Sequence, residues 1–432
     1  MGTFIALTVG KLELTWAKNM PGSYHGDLFQ ESDRKDVPYP LDDENGSDPA
    51  FQTTVAEVLP RIELLGHTLE RAREEYNYLV ERAVRRDFDL EDEGQARSAE
   101  EFLSFDSFLE IVRTISADDV SNELDEEAPK PKRLCSPETL KKLPWYNQHE
   151  YEWAGKDPDD IFSEATSAEF LVDGFHPYTQ IRLLAENVVN RSSHVTWMYG
   201  PLVANGWAYE DEFQTGLSDR ETFLIVTEGS SDAKIIRHAF NVLRPQIRDF
   251  FRYVDMEDEY PFSGTGNLRK FVQGLAALRV PLNVVALFDN DAEGVAMFEK
   301  TRDLKLPQTY SVQILPNLPA LEQFPTNGPT GASKENINGR AAAIECYLDL
   351  TRGCLPQMEV EWGAKNNTLD RYQGELLGKT QAMKDFLNYK GEPDKHGSYD
   401  TRKLEAVLDV LQNACVSIAS KSECSAIRSR AR

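Results

Sequence analysis

The sequence predicts an α/β domain with a central, mostly parallel sheet flanked by helices, preceded by a mainly α-helical domain with a short β start. Two short apolar runs, at residues 223–227 and 284–288, are typical of strands buried on both faces of a parallel sheet. Apolar residues at steps of three and four between residues 62 and 83 predict an amphipathic helix. Together these patterns indicate two kinds of domain in one chain of 432 residues.

A chain of this length can form two or three domains, each with its own core. We expect four segments: a short β-containing segment over 1–50, a helical domain over 51–215, an α/β domain over 220–350, and a helical C-terminal extension over 351–432 that packs on the α/β domain.

At the start of the chain, apolar and polar residues alternate weakly over residues 1–7 and again over 11–14, which predicts two short strands. It lacks the basic start and the uninterrupted apolar run of a signal peptide. No segment approaches the ~20 apolar residues that span a bilayer, and the five cysteines include no Cys-x-x-Cys pair that would suggest a zinc site. We therefore expect a reduced, cytoplasmic protein that does not bind a membrane.

The helical domain is expected to contain an antiparallel pair of helices. The apolar stripe over 62–83 is assigned to one helix, and a capping-box pattern at residues 98–101 precedes a second helix that continues to Val112. The acidic and then Pro/Lys-rich stretch near 117–136 indicates a mobile linker. A third helix is expected over 178–189.

Acidic residues follow both apolar runs of the α/β domain. Glu228 comes after the first predicted strand, and Asp289 and Asp291 come after the second. Because open α/β sheets build their sites at the carboxyl ends of the strands, these three side chains should meet at one edge. Their mutual repulsion is unfavourable unless a cation lies among them. The sequence therefore predicts a site for Mg²⁺ (or Mn²⁺), with a solvated turn after a strand as the alternative for the two aspartates.

Asp232 lies four residues beyond Glu228 and is expected to open a helix over 232–243. It is either a further metal ligand or the N-cap of that helix. Gly264 and Gly266 precede another predicted helix, where the turn either holds a phosphate or only joins a strand to a helix. The chain contains no Gly-x-x-x-x-Gly-Lys-Ser/Thr motif, so no ATP-binding P-loop is encoded.

The spacing of these motifs resembles that of the Toprim domain of topoisomerases, primases and the overcoming-lysogenization-defect (OLD) nucleases. That pattern is a strand ending in Glu-Gly, matched by Glu228 and Gly229, and a strand ending in Asp-x-Asp near a glycine, matched by Asp289, Asp291 and Gly294. The resemblance implies a metal-binding domain acting on nucleic acid.

Downstream residues are similar to bacterial HEPN/Toprim-associated proteins. Glu345 matches the acid of an Ile-Glu-x-Tyr-Leu segment, within a stretch over 341–348 that we expect to be helical. In OLD-type nucleases a comparable late acid binds a second metal, so the resemblance assigns that role to Glu345. A Gln-Gly-Glu stretch at 373–375 is followed by Lys379 and Lys384; either lysine could stabilise charge on phosphorus, or could be a solvated lysine on a helix.

The charge is unevenly distributed along the chain, whose net charge is −25. Residues 1–200 carry 20 basic and 40 acidic side chains, whereas residues 351–432 carry 13 basic and 11 acidic ones. Because acidic proteins gain no counterion release from polyphosphates, a nucleic acid substrate should meet the α/β domain and the C-terminal part. The acidic N-terminal half is expected to face solvent, a protein partner or another subunit of a homo-oligomer.

The leading hypothesis is a Mg²⁺- or Mn²⁺-dependent nuclease acting on DNA or RNA. The resemblance implies a role in bacterial defence against phage and plasmids. OLD nucleases carry an ATPase in the same chain; since this sequence encodes no P-loop, any ATPase would come from a partner. One alternative is a regulatory protein that binds partners through its acidic helical domain. Another is a HEPN-type ribonuclease, but these enzymes use an Arg, four to six residues and a His; Arg191 and His194 are separated by only two residues.

Overall fold

The computed structural model describes residues 3–38, 46–89, 97–118, 134–146, 168–254, 265–329, 331–352, 355, 357–366, 371–393 and 397–431. The chain forms two compact units, one from Met1–Leu217 together with Ser420–Arg432 and the other from Ser218–Ala419. Among the described residues, no helix is long and apolar enough to cross a membrane.

The first unit contains a five-stranded antiparallel sheet in the order β2-β1-β5-β4-β3. Its strands are β1 (Phe4–Val9), β2 (Leu12–Lys18), β3 (Arg34–Pro38), β4 (Ser47–Thr54) and β5 (His194–Met198). The prediction of a β segment limited to residues 1–50 therefore differs from the structure, because β5 lies between β1 and β4. Such long-range strand pairing leaves no signal in local alternation.

Helices cover one face of this sheet and share a single hydrophobic core with it. They are α1 (Val55–Leu64), α2 (Leu69–Asp89), α3 (Phe105–Val112), α4 (Pro137–Leu140), α5 (Ala168–Asp173), α6 (Pro177–Leu184) and α7 (Gly200–Ala204).

Three helix predictions in the first unit need correction. The apolar stripe over 62–83 is divided between α1 and α2, because Gly66 has a φ of 90° and ends the first helix. The capping box at Ser98 is present, with its N–H donating to Glu101 over 2.7 Å, but it opens a 3₁₀ turn, and α3 begins only at Phe105. The third predicted helix ends at residue 184 rather than 189. Most of the predicted linker, residues 119–133, lies outside the described residues.

The second unit contains the predicted parallel sheet, which is confirmed. Its order is β10-β8-β6-β7, and every neighbouring pair is parallel. Helices follow its strands, as expected for crossover connections. The elements are β6 (Phe223–Val226), α8 (Ser230–Leu243), β7 (Phe251–Tyr253), α9 (Thr265–Ala277), β8 (Asn283–Phe288), α10 (Ala292–Arg302) and β10 (Tyr310–Ile314).

The remainder of the second unit is less helical than predicted. A four-stranded sheet, β12-β11-β14-β15, includes two strands from the segment expected to be a helical extension. A two-stranded ladder joins β9 to β13. The elements are β9 (Asn290–Asp291), β11 (Phe324–Gly328), β12 (Gly331–Glu335), β13 (Ala341–Ala342), β14 (Val360–Asn366), β15 (Arg371–Leu376), α11 (Lys379–Asn388) and α12 (Arg402–Ala431).

Two further predictions about this region are wrong in detail. The stretch over 341–348 is not a helix: β13 is followed by a 3₁₀ turn, Ile344–Tyr347, because its first residues pair with β9. The last helix is also not wholly an extension of the α/β domain. Its residues 420–431 belong to the first unit, where Ser420 hydrogen bonds Thr68 (3.0 Å) and Arg428 pairs with Glu74 (2.7 Å).

Candidate functional site

The adjacent parallel strands β6 and β8 place Glu228 and Asp289 at one edge of the sheet. Val226 pairs with Ala286, so the two strands end at nearly the same level. The backbone N–H of Asp289 donates to Oε1 of Glu228 over 3.0 Å. Two residues that are 61 positions apart are thus brought into direct contact at the carboxyl edge of the sheet.

Asp232 lies on the first turn of α8 and is buried, with 8% of its surface exposed. It accepts hydrogen bonds from the N–H of Gly229 (3.0 Å) and the hydroxyl of Ser231 (3.1 Å). Gly229, not Asp232, holds the N-cap position, and the helix begins two residues earlier than predicted. The carboxylate therefore fixes the turn that follows Glu228.

Asp291 is the N-cap of α10. Its Oδ1 accepts from the N–H of Gly294 (2.7 Å), and its Oδ2 accepts from the side-chain amide of Gln373 (3.0 Å). Gly294 packs so closely that a Cβ there would lie 2.1 Å from the carbonyl oxygen of Asp289. A glycine is therefore required at this position, because any side chain would collide with the backbone of Asp289.

Asn290, between the two aspartates, was not singled out from the sequence. It is buried, donates to Oδ1 of Asn317 (2.7 Å), and accepts from the N–H of Gly339 (3.0 Å). These bonds tie the Asp-x-Asp turn to two other loops. The only sequence signal for this role was a neutral polar residue between two acids. The sequence could not show its partners, because they lie 27 and 49 residues away.

Glu345 lies in the 3₁₀ turn after β13 and is also buried, with 6% of its surface exposed. Burial raises the pKa of this carboxyl, and the positive charge of Lys379 partly opposes that effect. In turn, the charge of Glu345 raises the pKa of Asp232 and of Asp289. The turn therefore brings the predicted late acid into the electrostatic range of the other carboxylates.

Burial and the charges of neighbouring acids raise the pKa of the carboxyls at this edge. Burial, followed by the charges of Asp291 and Asp232, raises the pKa of Glu228 to about 8. Burial and the charge of Glu345 raise the pKa of Asp232 to about 6. For Asp289, burial and then the charges of the other four acids hold the pKa well above its usual range. Glu228 therefore holds a proton at neutral pH unless a cation replaces it.

The two candidate lysines differ in their surroundings. Lys379, at the start of α11, forms an ion pair with Glu375, which raises its pKa, and the charges of Glu345 and Asp289 act in the same direction. Lys384 lies further along the same helix, and both lysine side chains are exposed. The geometry therefore favours Lys379 as the lysine nearer the acids.

The predicted phosphate turn is only partly described. Gly264 lies outside the described residues, and Gly266 is in the first turn of α9. Beside it, the hydroxyl of Thr265 donates to Glu293 over 2.6 Å. A carboxylate at this helix start makes it a poorer place for a phosphate.

The acids do not form a ready-made metal site. Within the described ranges, no group of three or more His, Cys, Asp or Glu side chains is arranged to hold a metal ion. One carboxylate oxygen each of Glu228, Asp232 and Asp291 already accepts a hydrogen bond from a backbone N–H group. The donors are carboxylate oxygens, which suit Mg²⁺ and Mn²⁺ chemically, so these residues fit the ion by type and would need side-chain rotation to surround it.

The spacing of an Arg, four to six residues and a His occurs at Arg61 and His67, but both side chains are buried, and Arg61 donates to the carbonyl oxygen of Asp27 over 2.8 Å. The helical unit does not place Arg191 and His194 on facing helices. His194 is the first residue of β5 and is exposed, while Arg191 lies in a 3₁₀ turn and donates to the carbonyl of Ala185 (3.4 Å). A buried polar network elsewhere in this unit joins His25 to Tyr178 (3.3 Å) and Tyr178 to Asp27 (2.5 Å). Burial lowers the pKa of His25 to about 4, so its ring is neutral at physiological pH.

A family model described as HEPN/Toprim N-terminal domain 1 matches residues 1–221. The match ends just before β6, so every residue of the acidic edge lies outside it. Comparison with curated proteins finds no match, and neither does comparison with solved structures.

Proposed function

Since the chain belongs to the HEPN/Toprim N-terminal domain 1 family, we propose that it is a metal-dependent nuclease that hydrolyses phosphodiester bonds at the acidic edge of its parallel sheet. The family match covers more than half of the chain and associates the N-terminal unit with Toprim-type domains. The proposal assigns the catalytic role to the second unit, which contains the acidic edge.

One observation carries this proposal: five carboxylates lie at one sheet edge, burial raises the pKa of each, and the charges of other members of the group also raise the pKa of Glu228, Asp232 and Asp289. Like charges that share a buried site are unfavourable unless something positive lies among them. If these side chains had only a structural role, amides or hydroxyls could accept the same backbone hydrogen bonds at a lower cost in free energy, because they carry no charge. The cluster is therefore best explained by a divalent cation.

We assign the metal-binding role to Glu228, Asp289, Asp291 and Glu345, as in the OLD-type nucleases that the sequence resembles. A bound Mg²⁺ or Mn²⁺ ion would supply positive charge beside the scissile phosphate and lower the pKa of water. Asp232 would act mainly by holding the turn after Glu228 through its bond to Gly229.

The neighbouring side chains have supporting roles. Gln373 and Gly294 fix the two oxygens of Asp291. The ammonium group of Lys379 interacts electrostatically with both Glu345 and Asp289. In the reaction it would stabilise charge that develops on the phosphoryl oxygens.

The biological setting is proposed by analogy with HEPN/Toprim-associated and OLD-type proteins: bacterial defence against phage or plasmids, with DNA or RNA as substrate. An ATPase or another protein would act as partner, and the protein would assemble as a homo-oligomer in the cytoplasm.

The test is a cleavage assay with purified protein on plasmid DNA, single-stranded DNA and total tRNA, each with Mg²⁺, Mn²⁺ or EDTA. Asp289→Asn removes a charge while preserving size, and Asp303→Asn serves as a matched control because Asp303 is an exposed aspartate in the same unit. Cleavage that requires metal, disappears in Asp289→Asn and persists in Asp303→Asn supports the proposal. Cleavage in EDTA, or equal cleavage by Asp289→Asn, would contradict it.

A second candidate is a regulatory or partner-binding protein without catalysis. The observation that favours it is that backbone N–H groups occupy three of the five carboxylates and that the described acids form no ready-made metal site. This function predicts a properly folded protein that cleaves none of the three substrates with any metal. In that case Asp289→Asn would change binding at most.

A further inference from the structure

A cavity of about 730 Å³ lies in the second unit, apart from the acidic edge. Its walls come from the turn around Pro319, the start of β11, the segment 349–352 and the start of α12. None of the five acids described above lines it. Its volume falls within the range of sites for small ligands.

Much of the cavity wall is apolar. Leu318, Phe324, Leu350 and Met358 contribute hydrophobic surface, together with Pro319 and Pro325. Such a wall favours a flat, weakly polar body over a fully hydrated ion. The apolar lining therefore argues against an inorganic anion as the whole ligand.

The acidic residues of the lining are already engaged by neighbouring groups. Asp349 accepts from the N–H and hydroxyl of Thr351 (3.0 and 2.7 Å) and from the N–H of Asp400 (3.0 Å). Asp400 in turn forms an ion pair with Arg402 (2.6 Å). These carboxylates therefore stabilise the local turns and offer few oxygens to a ligand.

The basic residues leave hydrogen-bond donors available. The Lys403 ammonium group donates to the carbonyl of Cys346 (2.7 Å), and no other hydrogen bond of this group joins it to the described part of the chain. An ammonium group has three donors, so two are not used by the described residues, and Lys403 is one of the residues that line the cavity. Arg402 engages Asp400 through Nε and one terminal nitrogen, leaving its second terminal nitrogen for a ligand.

We propose that this cavity binds a nucleoside phosphate, with the base against the apolar wall and the phosphate at Lys403 and Arg402. A mononucleotide combines a flat body with an anionic end, and arginine and lysine are the usual phosphate partners in proteins. The nucleotide would be either free or the terminal nucleotide of a nucleic acid strand. Both sources present the same chemistry to the cavity.

Two walls of the cavity are hydrogen bonded to the acidic edge. Lys403 holds the carbonyl of Cys346, the residue after Glu345. On the other side, Leu318 bonds Asn338 (3.0 Å), and the preceding Asn317 bonds Asn290 (2.7 Å). Occupancy of the cavity should therefore alter the positions of Glu345 and the Asp-x-Asp turn. This effect on cleavage rests on the proposed nuclease function, whereas binding itself does not.

The test measures binding by calorimetry to the full chain in EDTA. The probes are AMP, GMP, adenosine, inorganic phosphate and a short 5′-phosphorylated oligonucleotide. Lys403→Met removes the charge and keeps the length of the side chain, and Lys390→Met is the matched control because Lys390 is exposed and does not line the cavity. Ala320→Trp fills the cavity without changing charge. Asp289→Asn tests whether the ligand occupies the acidic edge instead, and thermal unfolding checks each variant.

We expect a nucleotide to bind, and binding to weaken about tenfold or more in Lys403→Met and Ala320→Trp but not in Lys390→Met or Asp289→Asn. Tighter binding of the oligonucleotide than of AMP or GMP identifies a strand end as the source, and the reverse identifies a free nucleotide. No binding by any nucleotide, equal binding by inorganic phosphate, or unchanged binding by folded Lys403→Met and Ala320→Trp variants would overturn the proposal. Because the assay contains no metal, it can succeed even if no nuclease activity exists.

Discussion

The backbone N–H of Asp289 donates a hydrogen bond to Oε1 of Glu228 over 3.0 Å, so the ends of two parallel strands are joined through one of the acids themselves. The bond stabilises the charged form of Glu228 and thereby lowers its pKa, but burial outweighs it and holds the pKa at about 8. The same carboxylate thus joins the two strand ends and is, in the proposed function, the group that exchanges its proton for a cation.

Glu228→Gln separates these two roles. The amide oxygen can still accept from Asp289, so we expect the folded state to be retained and metal-free stability to be unchanged or raised. Metal-dependent cleavage should fall by roughly 100-fold or more, because a neutral amide is a weaker ligand for a hard cation. Thermal unfolding in EDTA and cleavage rates measure the two effects, and full activity in this variant would exclude Glu228 as a ligand.

The metal-free protein should gain stability as the pH falls from about 9 to 6. The folded-state pKa of Glu228 is about 8, above its ordinary value, so the folded protein binds a proton more tightly than the unfolded chain does. Asp232, with a pKa of about 6, extends the trend to lower pH. Chemical unfolding at several pH values in EDTA measures this slope.

The Glu228→Gln variant provides the control for the pH trend, since its slope between pH 9 and 6 should be smaller. Adding Mg²⁺ should raise stability most at high pH, where the acids are ionised. A slope of the opposite sign in the parent protein would show that these carboxylates do not titrate as their burial implies.

Gly294→Ala should destabilise the protein by about 1–3 kcal/mol, because its Cβ would collide with the carbonyl oxygen of Asp289 at 2.1 Å. Gly274→Ala is the matched control: Gly274 is also in a helix, but a Cβ there meets nothing within 4 Å. This control should stabilise by about 0.5–1 kcal/mol. Urea unfolding of both variants measures the contrast, and similar effects at the two sites would contradict the close packing at Gly294.

Gln373→Met should weaken metal binding about 10- to 100-fold while leaving the fold intact, because it removes the donor that holds Oδ2 of Asp291. The concentration of Mn²⁺ that gives half-maximal cleavage is the decisive measurement. Gln381→Met, at an exposed position on α11, is the control. If saturating Mn²⁺ fails to restore the rate of Gln373→Met, its role is not the positioning of Asp291.

Lys379→Met should reduce cleavage roughly 100-fold at saturating metal, whereas Lys384→Met should change it less than about twofold. The reason is that the charges of Glu345 and Asp289 act on Lys379, whereas Lys384 lies further along the same helix; both side chains are exposed. Comparison of kcat between the two variants decides between the lysines. Equal losses would contradict the assignment of this role to Lys379 rather than Lys384.

The sequence by itself determined the parallel strands and the acids that follow them. Runs such as 284–288 are apolar throughout because both faces of the strand are buried, so the pattern is local and readable. The placement of Glu228 and Asp289 at one edge follows from strand direction alone. The prediction of a divalent cation rests equally on these carboxylates, whose oxygens are the ligands that Mg²⁺ and Mn²⁺ prefer.

Only the tertiary structure decided how the remaining parts meet. The pairing of β13 with β9 turns the stretch around Glu345 into a 3₁₀ turn, although its apolar composition suits a helix. Likewise, β5 enters the N-terminal sheet from residue 194, and Asn290 finds Asn317 across 27 residues. These contacts depend on hydrogen bonds between distant segments, and local spacing carries no record of which distant segment will supply the partner.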